Sequence, residues 1–467
     1  MDSFQAELLV RLPLAQAVLK MFEYVFDSPW LEDLYARHRG RGYLRQLRFD
    51  QLVYLLRDAL VVDGGSGRQS FQRAHRDGTL PVAIQNAYAK LARLPLALSM
   101  ALVGQAGPRL ASLLPPEDSL GTPLPASLAT LEVTVIDGKK IKHATKRLKP
   151  LRGLPGALLG GKVLVALALR KGLAVGMNAD PDGERNDLPL VPALVSQVRS
   201  RQSGPILWIA DRQFVDFKLW PLLTEGQDQF LIRCSRKIAF AADVQRPAQE
   251  GIDPQGRRYL QQWGWVGGEK QKQRPYVRRI ALPLPEDDLI LVTSLLDEIR
   301  YPAEDLLEAY RQRWGIEQMF QQVTEVIHLQ RLIGSTPQAM IFQAALCFLL
   351  YDLIQVVKAH VAGAGQKTPQ QVSGELLFRD VHEELAAWAR LGDPALTAGL
   401  LPKCPDARSL RDWLATTLRL TWTDRWIKAP NTHRHPQKHS KVPPGHSGHM
   451  SVWRILQTIG PKHDSRS

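Results

Sequence analysis

Apolar residues recur at helical spacing through roughly the first quarter of the chain, and no strand-like alternation interrupts them. In residues 49–57 an aspartate stands near the start and apolar side chains follow at intervals of three and four. A second amphipathic stretch, residues 83–94, stops at Pro95. Proline and glycine then crowd residues 114–125, which is typical of a linker. The pattern predicts an all-helical N-terminal domain over residues 1–125.

Beyond the linker, short apolar runs separated by polar turns indicate strands alternating with helices. The predicted elements are strands at 131–136, 162–169 and 173–177, a helix at 189–199, a strand at 206–210, a helix at 213–223 and a strand at 229–234. This alternation predicts an α/β catalytic core over residues 126–235.

Residues 236–295 contain short strand-like segments with glycine, proline and charged turns, and they are too many for a simple connection. We therefore expect an inserted β-subdomain over 236–295. The core then resumes over 296–360, where helical patterns cover residues 304–332 and 338–357.

The last part of the chain, residues 361–467, is expected to be a helical region with a helix at 408–420. Residues 431–450 are basic and poor in aliphatic side chains, so we expect a flexible tail there. Five histidines in this tail invite a zinc hypothesis, but the interspersed lysines, prolines and glycines favour a solvated basic tail. They are His433, His435, His439, His446 and His449.

The net charge indicates the class of binding partner. The 467 residues include 60 lysines and arginines against 46 aspartates and glutamates, a net charge of +14. Such an excess favours a polyanion, and nucleic acid is the leading candidate. The sequence has no long uncharged apolar segment, and this argues against a membrane partner. Three scattered cysteines without Cys-x-x-Cys spacing and an N-terminus unlike a signal peptide predict a cytoplasmic protein.

Two aspartates follow predicted strands. Asp137 comes directly after the run 131–136, and Asp211 directly after 206–210. A carboxylate at a strand end is held rigidly by the sheet and remains exposed at its edge, which suits a hard divalent cation. No glycine-rich phosphate loop or cofactor motif is present, which argues against small-molecule enzymes.

A third acid lies in the run Tyr310-Arg-Gln-Arg313-Trp-Gly-Ile-Glu317. On a helix, spacings of three and four put Tyr310, Arg313 and Glu317 on one face. Glu317 could hold a metal ion while the other two grip a phosphate. Alternatively, Glu317 merely pairs with Arg313 one turn back, an exposed contact worth only about a few tenths of a kcal/mol.

These motifs resemble those of DDE transposases of the type-four insertion-sequence group. The matching segments are Val135-Ile-Asp-Gly138, Ile209-Ala-Asp-Arg-Gln-Phe214, the Tyr-x-x-Arg-x-x-x-Glu run, and the preceding Leu291-Val-Thr-Ser-Leu-Leu-Asp297 and Tyr301-Pro-Ala-Glu-Asp305. The family signature continues to a lysine seven residues after the glutamate, and Thr324 occupies that position here.

The resemblance implies a ribonuclease H-like core with a mixed five-stranded sheet. It implies that Asp137, Asp211 and Glu317 are the catalytic residues and hold two Mg²⁺ ions, with Mn²⁺ as a substitute, while Tyr310 and Arg313 bind DNA. The reaction would be cleavage at transposon ends followed by strand transfer into target DNA, as in cut-and-paste transposition. A homodimer holding two DNA ends at the bacterial nucleoid is the implied assembly.

Further DNA contacts are expected around this site. Arg212 stands beside Asp211, and Lys139 and Lys140 begin a basic run that would attract a phosphate backbone, unless it is a solvated loop. In the insertion, Trp263 and Trp265 accompany arginines and could stack an unpaired base. Core packing of both tryptophans is the alternative.

Two other functions compete with an active transposase. Thr324 in place of the lysine would suit a catalytically impaired, transposase-derived DNA-binding protein, whereas the intact acidic triad argues against it. A nuclease that cuts DNA without joining it is the second. An assay with a free 3′-hydroxyl donor end separates that nuclease from a transposase.

Overall fold

One large mixed sheet with helices packed against it organises the protein, a mixed α/β fold. The computed structural model describes residues 2–40, 46–116, 124–142, 144, 148–154, 158–268, 274–285, 287–393, 396–429 and 450–459. The five tail histidines of the zinc hypothesis, and most of the predicted flexible tail, residues 431–449, lie outside the described residues.

The chain before the first strand is helical, as its periodicity predicts. The helices are α1 (Asp2–Val10), α2 (Pro13–Val25), α3 (Ser28–His38), α4 (Phe49–Val61), α5 (Gly67–Arg76), α6 (Ile84–Ala92) and α7 (Leu96–Ala111). Their apolar faces join the same hydrophobic cluster as one face of the sheet, with Phe22 and Leu56 fully buried. The helical region therefore shares its core with the sheet.

Strands and helices then alternate. They are β1 (Glu132–Lys140), β2 (Leu158–Leu159), β3 (Lys162–Ala168), β4 (Leu173–Asp180), α8 (Val191–Arg199), β5 (Ile206–Ala210), α9 (Trp220–Leu223) and β6 (Gln229–Cys234). Strand β1 is central, antiparallel to β3 and parallel to β5, which is parallel to β6. Helix α8 packs on the face opposite the N-terminal helices.

The predicted helix at 213–223 is wrong over most of its length. A 3₁₀ turn, Arg212–Phe214, follows β5 because the Asp211 side chain accepts a hydrogen bond from the Gln213 backbone N–H at 2.9 Å. Helical structure resumes only at α9, where Pro221 occupies the first turn.

The sheet is larger than the expected five strands, because the strands of the insertion extend it. Strands β7 (Phe240–Ala242), β8 (Gln249–Ile252), β9 (Arg258–Val266), β10 (Tyr276–Leu282) and β11 (Leu289–Thr293) follow β6. Strand β11 pairs antiparallel with β6, so the order β4-β3-β1-β5-β6-β11-β10-β9-β7 is one continuous sheet, with β8 on β9. The insertion covers the backbone edge that β6 would otherwise expose.

The remaining elements are α10 (Ala303–Arg311), α11 (Trp314–Glu325), α12 (Pro337–Ala364), α13 (Gly374–Leu391), α14 (Thr397–Leu400), α15 (Ala407–Leu418), β12 (Met450–Ser451) and α16 (Val452–Ile459). The single helix expected over 304–332 is thus two helices. At the break, Arg313 N–H donates to Tyr310 O at 3.0 Å and Gly315 N–H donates to Gln312 O at 2.9 Å. These three-residue hydrogen bonds tighten the chain and turn α11 away from α10.

Helix α12 is the centre of the core. It is long and apolar enough by composition to cross a membrane, yet its most apolar window is completely buried in the protein. It contacts α2, α6, α7, α15 and β4. This is the packing of a core helix, as its buried polar residues suggest.

The segment after residue 449 forms a second, two-stranded sheet with β2 instead of trailing as a tail. Strand β12 pairs in parallel with β2. Arg454 on α16 donates to Asp182 at 2.8 Å and pairs with Glu184 at 2.5 Å. The expected flexibility of Met450 is therefore wrong, because a strand and two ion pairs hold this segment.

Candidate active site

The first two acids meet because their strands are neighbours. Val135 on β1 pairs with Ile209 on β5, so Asp137 and Asp211, two residues further along each strand, lie side by side. Gln213 links them: its backbone N–H donates to Asp211 and its side-chain amide lies 3.4 Å from Asp137 Oδ1. Asp137 does not end β1 as expected, because pairing with β3 continues to Lys140.

Glu317 approaches from α11 through Arg313. The Arg313 guanidinium donates to Glu317 Oε1 at 2.7 Å, and its other nitrogen lies 3.9 Å from Asp137 Oδ2. Glu317 therefore pairs with Arg313 one turn back, as the alternative predicted, and Arg313 also lies close to Asp137. Tyr310 is buried, with Arg313 5.7 Å from its ring centroid, so it supports the arginine from behind and does not face open solvent.

Burial and repulsion raise the pKa of Asp137 to about 7. Desolvation is the main cause, and the negative charges of Asp211 and Glu317 add to it, against the Gly138 N–H and Arg313. A carboxylate in this environment gains from a nearby cation.

The donor set fits a divalent metal ion. Asp137, Asp211 and Glu317 offer carboxylate oxygens from two strands and a helix, the ligands that Mg²⁺ and Mn²⁺ prefer. Among the described residues no three such side chains form a ready ligand set. Arg313 lies between Asp137 and Glu317 and supplies positive charge there.

A cleft of about 560 Å³ opens beside the acids, between the end of β1 and α11. Lys139, Lys140 and Lys142 line one side and Thr324 the other. Lys139 Nζ lies 5.3 Å from the Phe320 ring centroid, and burial together with Lys142 lowers the pKa of Lys139. Thr324 donates its hydroxyl to Phe320 O at 2.6 Å. The basic run continues through residues 143 and 145–147, outside the described residues.

Arg212 points toward the inserted strands. Its guanidinium is mostly exposed and lies 3.8 Å from Asp287, which pairs with Arg233 at 2.8 Å. Arg331 lies beyond the end of α11, where it donates to Gly64 O, so it is not on the helix that carries Thr324.

The two tryptophans of the insertion differ. Trp263 is fully buried, donates to Leu296 O at 2.9 Å and lies under the Arg246 guanidinium, so its expected stacking on a base is corrected to core packing. Trp265 is 36% exposed and meets Tyr276 edge-on at 5.1 Å. Trp265 remains accessible to a ligand.

The sequence does not predict one buried ion pair that lies under the site. Asp187 and Lys162 are both buried, and Lys162 Nζ lies 2.8 Å from Asp187 Oδ1. A Cβ at Gly138 would lie 2.1 Å from that oxygen, so the pair packs directly under the residue after Asp137. Burial raises the pKa of Asp187, while Lys162 opposes the shift. In the sequence Asp187 looks like one more polar turn residue, and nothing in the pattern marks it.

Comparison with known proteins finds similar solved structures and one matching family model. A solved structure, "Cryo-EM structure of piggyBac transposase synaptic complex with hairpin DNA", aligns with a TM-score of 0.40 and 12% identity over 88% of each chain. No curated protein matches. Residues 129–353 match the family described as "Transposase DDE domain", a range that includes Asp137, Asp211 and Glu317. This match supports a DDE transposase, a family whose members are nucleases and transesterases.

Proposed function

We propose that this protein is a DNA transposase that cuts the ends of a mobile element and joins them to target DNA, as in cut-and-paste transposition of type-four insertion sequences. The observation that carries the proposal is the meeting of Asp137, Asp211 and Glu317 around Arg313. A ribonuclease H-like core is part of the proposal, and the strand order β4-β3-β1-β5-β6 supports it.

Asp137, Asp211 and Glu317 would hold two Mg²⁺ ions. Such ions supply an activated water or 3′-hydroxyl nucleophile and stabilise the leaving oxygen. The Glu317 carboxylate must then release Arg313. The freed guanidinium, whose carbon lies 5.7 Å from the Tyr310 ring centroid, would be able to bind two oxygens of a phosphate.

The cleft beside the acids suits the phosphate backbone of a DNA strand. Lys139, Lys140 and Lys142 line it, so positive charge reaches the cleft from β1 although Thr324 brings none from α11. This arrangement favours an active transposase over an impaired DNA-binding derivative. Arg212 and Trp265 would contact DNA at the edge of the inserted strands.

The N-terminal helices are proposed to bind DNA. Helix α5 exposes Arg68, Gln69, Gln72 and Arg76, a mixture that contacts phosphates and base edges. Deleting residues 1–115 would also remove part of the common core. The informative variant is therefore Arg68→Glu, which should weaken end binding without unfolding the protein.

The whole assembly would be a homodimer on two DNA ends, working at the nucleoid in a bacterial cytoplasm. Mass photometry with and without end DNA tests the dimer. A single protomer per two ends would contradict it.

The central experiment measures cleavage and strand transfer with Mg²⁺ on DNA carrying the element's ends. Asp211→Asn should lose both reactions and keep DNA binding. Asp216→Asn is the matched control, since Asp216 only caps a nearby turn. Thr324→Lys should be no more active than wild type. Restoration of activity by Thr324→Lys in an inactive wild type would favour the impaired derivative, and cleavage without joining would favour the nuclease.

A further inference from the structure

A second positively charged cavity, of about 160 Å³, lies on the other side of the α10–α11 junction from the acids. It lies between the end of β3, the α10–α11 junction and α12. Cations and glutamines line it: Arg170, Lys171, Lys358, Lys428, Gln312, Gln318, Gln322, Gln355 and Gln370. Among its described lining residues there is no carboxylate. Every charged side chain in this lining is therefore a cation, and of these Lys171 pairs with a carboxylate outside the lining, Glu132, at 2.8 Å.

Lys358 lies at the base of the cavity and is the unusual member. It is only 7% exposed, and its one described hydrogen bond is a long one to Gln355 Oε1 at 3.4 Å. The Gln355 amide nitrogen is buried without a partner. Within the described residues, no carboxylate lies within ion-pair distance of Lys358, Lys428 or Arg170. Buried donors of this kind are costly unless something accepts from them.

The electrostatics of Lys358 and Lys428 favour an anion between them. Burial, and then the like charge of Lys428, lower the pKa of Lys358 to about 7. Burial also lowers the pKa of Lys428, whose side chain forms the outer rim. An anion between these ammonium groups would reverse both effects.

We propose that this cavity binds a phosphate group, with Lys358 and Gln355 as its inner donors and Lys428 and Arg170 at its mouth. The volume equals about five water molecules at ~30 Å³ each, which holds a tetrahedral oxyanion with part of its hydration. The site is distinct from Asp137, Asp211 and Glu317, and it does not depend on the proposed transposition.

Bound phosphate would also contact the junction that carries Arg313. Gln312 reaches the cavity from the α10–α11 junction, where Arg313 follows it, and Gln318 and Gln322 reach it from α11, which carries Glu317. Filling the cavity would therefore brace these helices from behind.

The test is calorimetric titration of the full-length protein with inorganic phosphate at constant ionic strength. Wild type should bind saturably. Lys358→Met keeps the length of the buried side chain without its charge and should weaken binding by about tenfold or more. Lys20→Met is the matched control, because Lys20 is 6% exposed but pairs with Glu23 on α2, outside the cavity lining. Lys428→Ala, at the exposed rim, should weaken binding several-fold without affecting folding.

A second titration with a short duplex of unrelated sequence separates the two sources of phosphate. If Lys358→Met and Lys428→Ala also weaken duplex binding and free phosphate competes with it, the site takes a DNA backbone phosphate. If duplex binding is unchanged, it takes a free anion, and both results support the site. The proposal is overturned if neither phosphate nor duplex binding differs between wild type and these two variants.

Discussion

Arg313 donates a 2.7 Å hydrogen bond to Glu317, one helical turn further on, and thereby occupies the carboxylate proposed to hold a metal. The Arg313 guanidinium and a bound metal ion would therefore compete for the same Glu317 oxygen. The arginine neutralises the acids while no metal is bound.

This competition predicts opposite effects on metal binding and on catalysis. Arg313→Ala should bind Mn²⁺ more tightly in the absence of DNA, by a few-fold, and cleave DNA about 10–1,000-fold more slowly. Calorimetry and single-turnover cleavage measure the two effects. Arg311→Ala is the control, because Arg311 pairs with Glu308 outside the site. Weaker metal binding by Arg313→Ala would refute the competition.

The contact between Gly138 and Asp187 predicts a steric penalty. Gly138→Ala forces a Cβ toward the Asp187 carboxylate and should lower the free energy of unfolding by about 1–3 kcal/mol. Urea denaturation measures it. Gly204→Ala is the comparison, since its Cβ would meet nothing within 4 Å. Equal stability of the two variants would show that β1 moves to accommodate the methyl group.

Glu384 predicts a pH dependence of stability. It accepts a hydrogen bond from Ala15 N–H at 3.0 Å at the start of α2, and burial raises its pKa to about 7 from 4.5. The folded state therefore binds more protons between these values, so wild-type stability falls as pH rises from about 4.5 through 7.

Glu384→Gln keeps an acceptor oxygen but does not ionise. Its free energy of unfolding should exceed that of wild type by a difference that grows by about 1–3 kcal/mol across this pH range. Denaturant melts at several pH values measure it. Glu383→Gln, at an exposed neighbouring position, is the control. Parallel pH curves for wild type and Glu384→Gln would contradict the prediction.

Substituting the two tryptophans of the insertion should have different effects, one on the stability of the protein and the other on DNA binding. Trp263→Ala removes a fully buried indole and should cost about 3–5 kcal/mol in unfolding free energy. Trp265→Ala should change stability little and should weaken binding of DNA with an unpaired base by about 1–3 kcal/mol. Fluorescence anisotropy with paired and unpaired duplexes measures the latter. Equal losses on both duplexes would exclude base stacking by Trp265.

The elements that could be predicted from sequence are those set by local pattern. The apolar runs that form β5 and β6 have turn residues at both ends, and their predicted bounds agree with the strands. The sequence could predict that Asp137 and Asp211 lie close together, because each directly follows an apolar run. The two runs form β1 and β5, which are adjacent strands of the sheet.

The elements that could not be predicted depend on partners distant in sequence. Lys139 and Lys140 are polar enough to suggest a loop, yet β3 pairs with them and extends β1 past Asp137. Likewise β11 joins the edge of β6, which no local pattern reveals. Lys358 directly follows the predicted helix 338–357, and its burial depends on the packing of α12 against α11 and β4.

The pairing of β12 with β2 gives the order of synthesis a structural role. The turn bearing Asp182 and Glu184 emerges from the ribosome about 270 residues before Arg454, and β2 emerges earlier still. Until then two carboxylates lack their arginine and β2 lacks its partner strand. A nascent chain stalled before residue 450 would thus contain every proposed catalytic residue while the two-stranded sheet is still unformed.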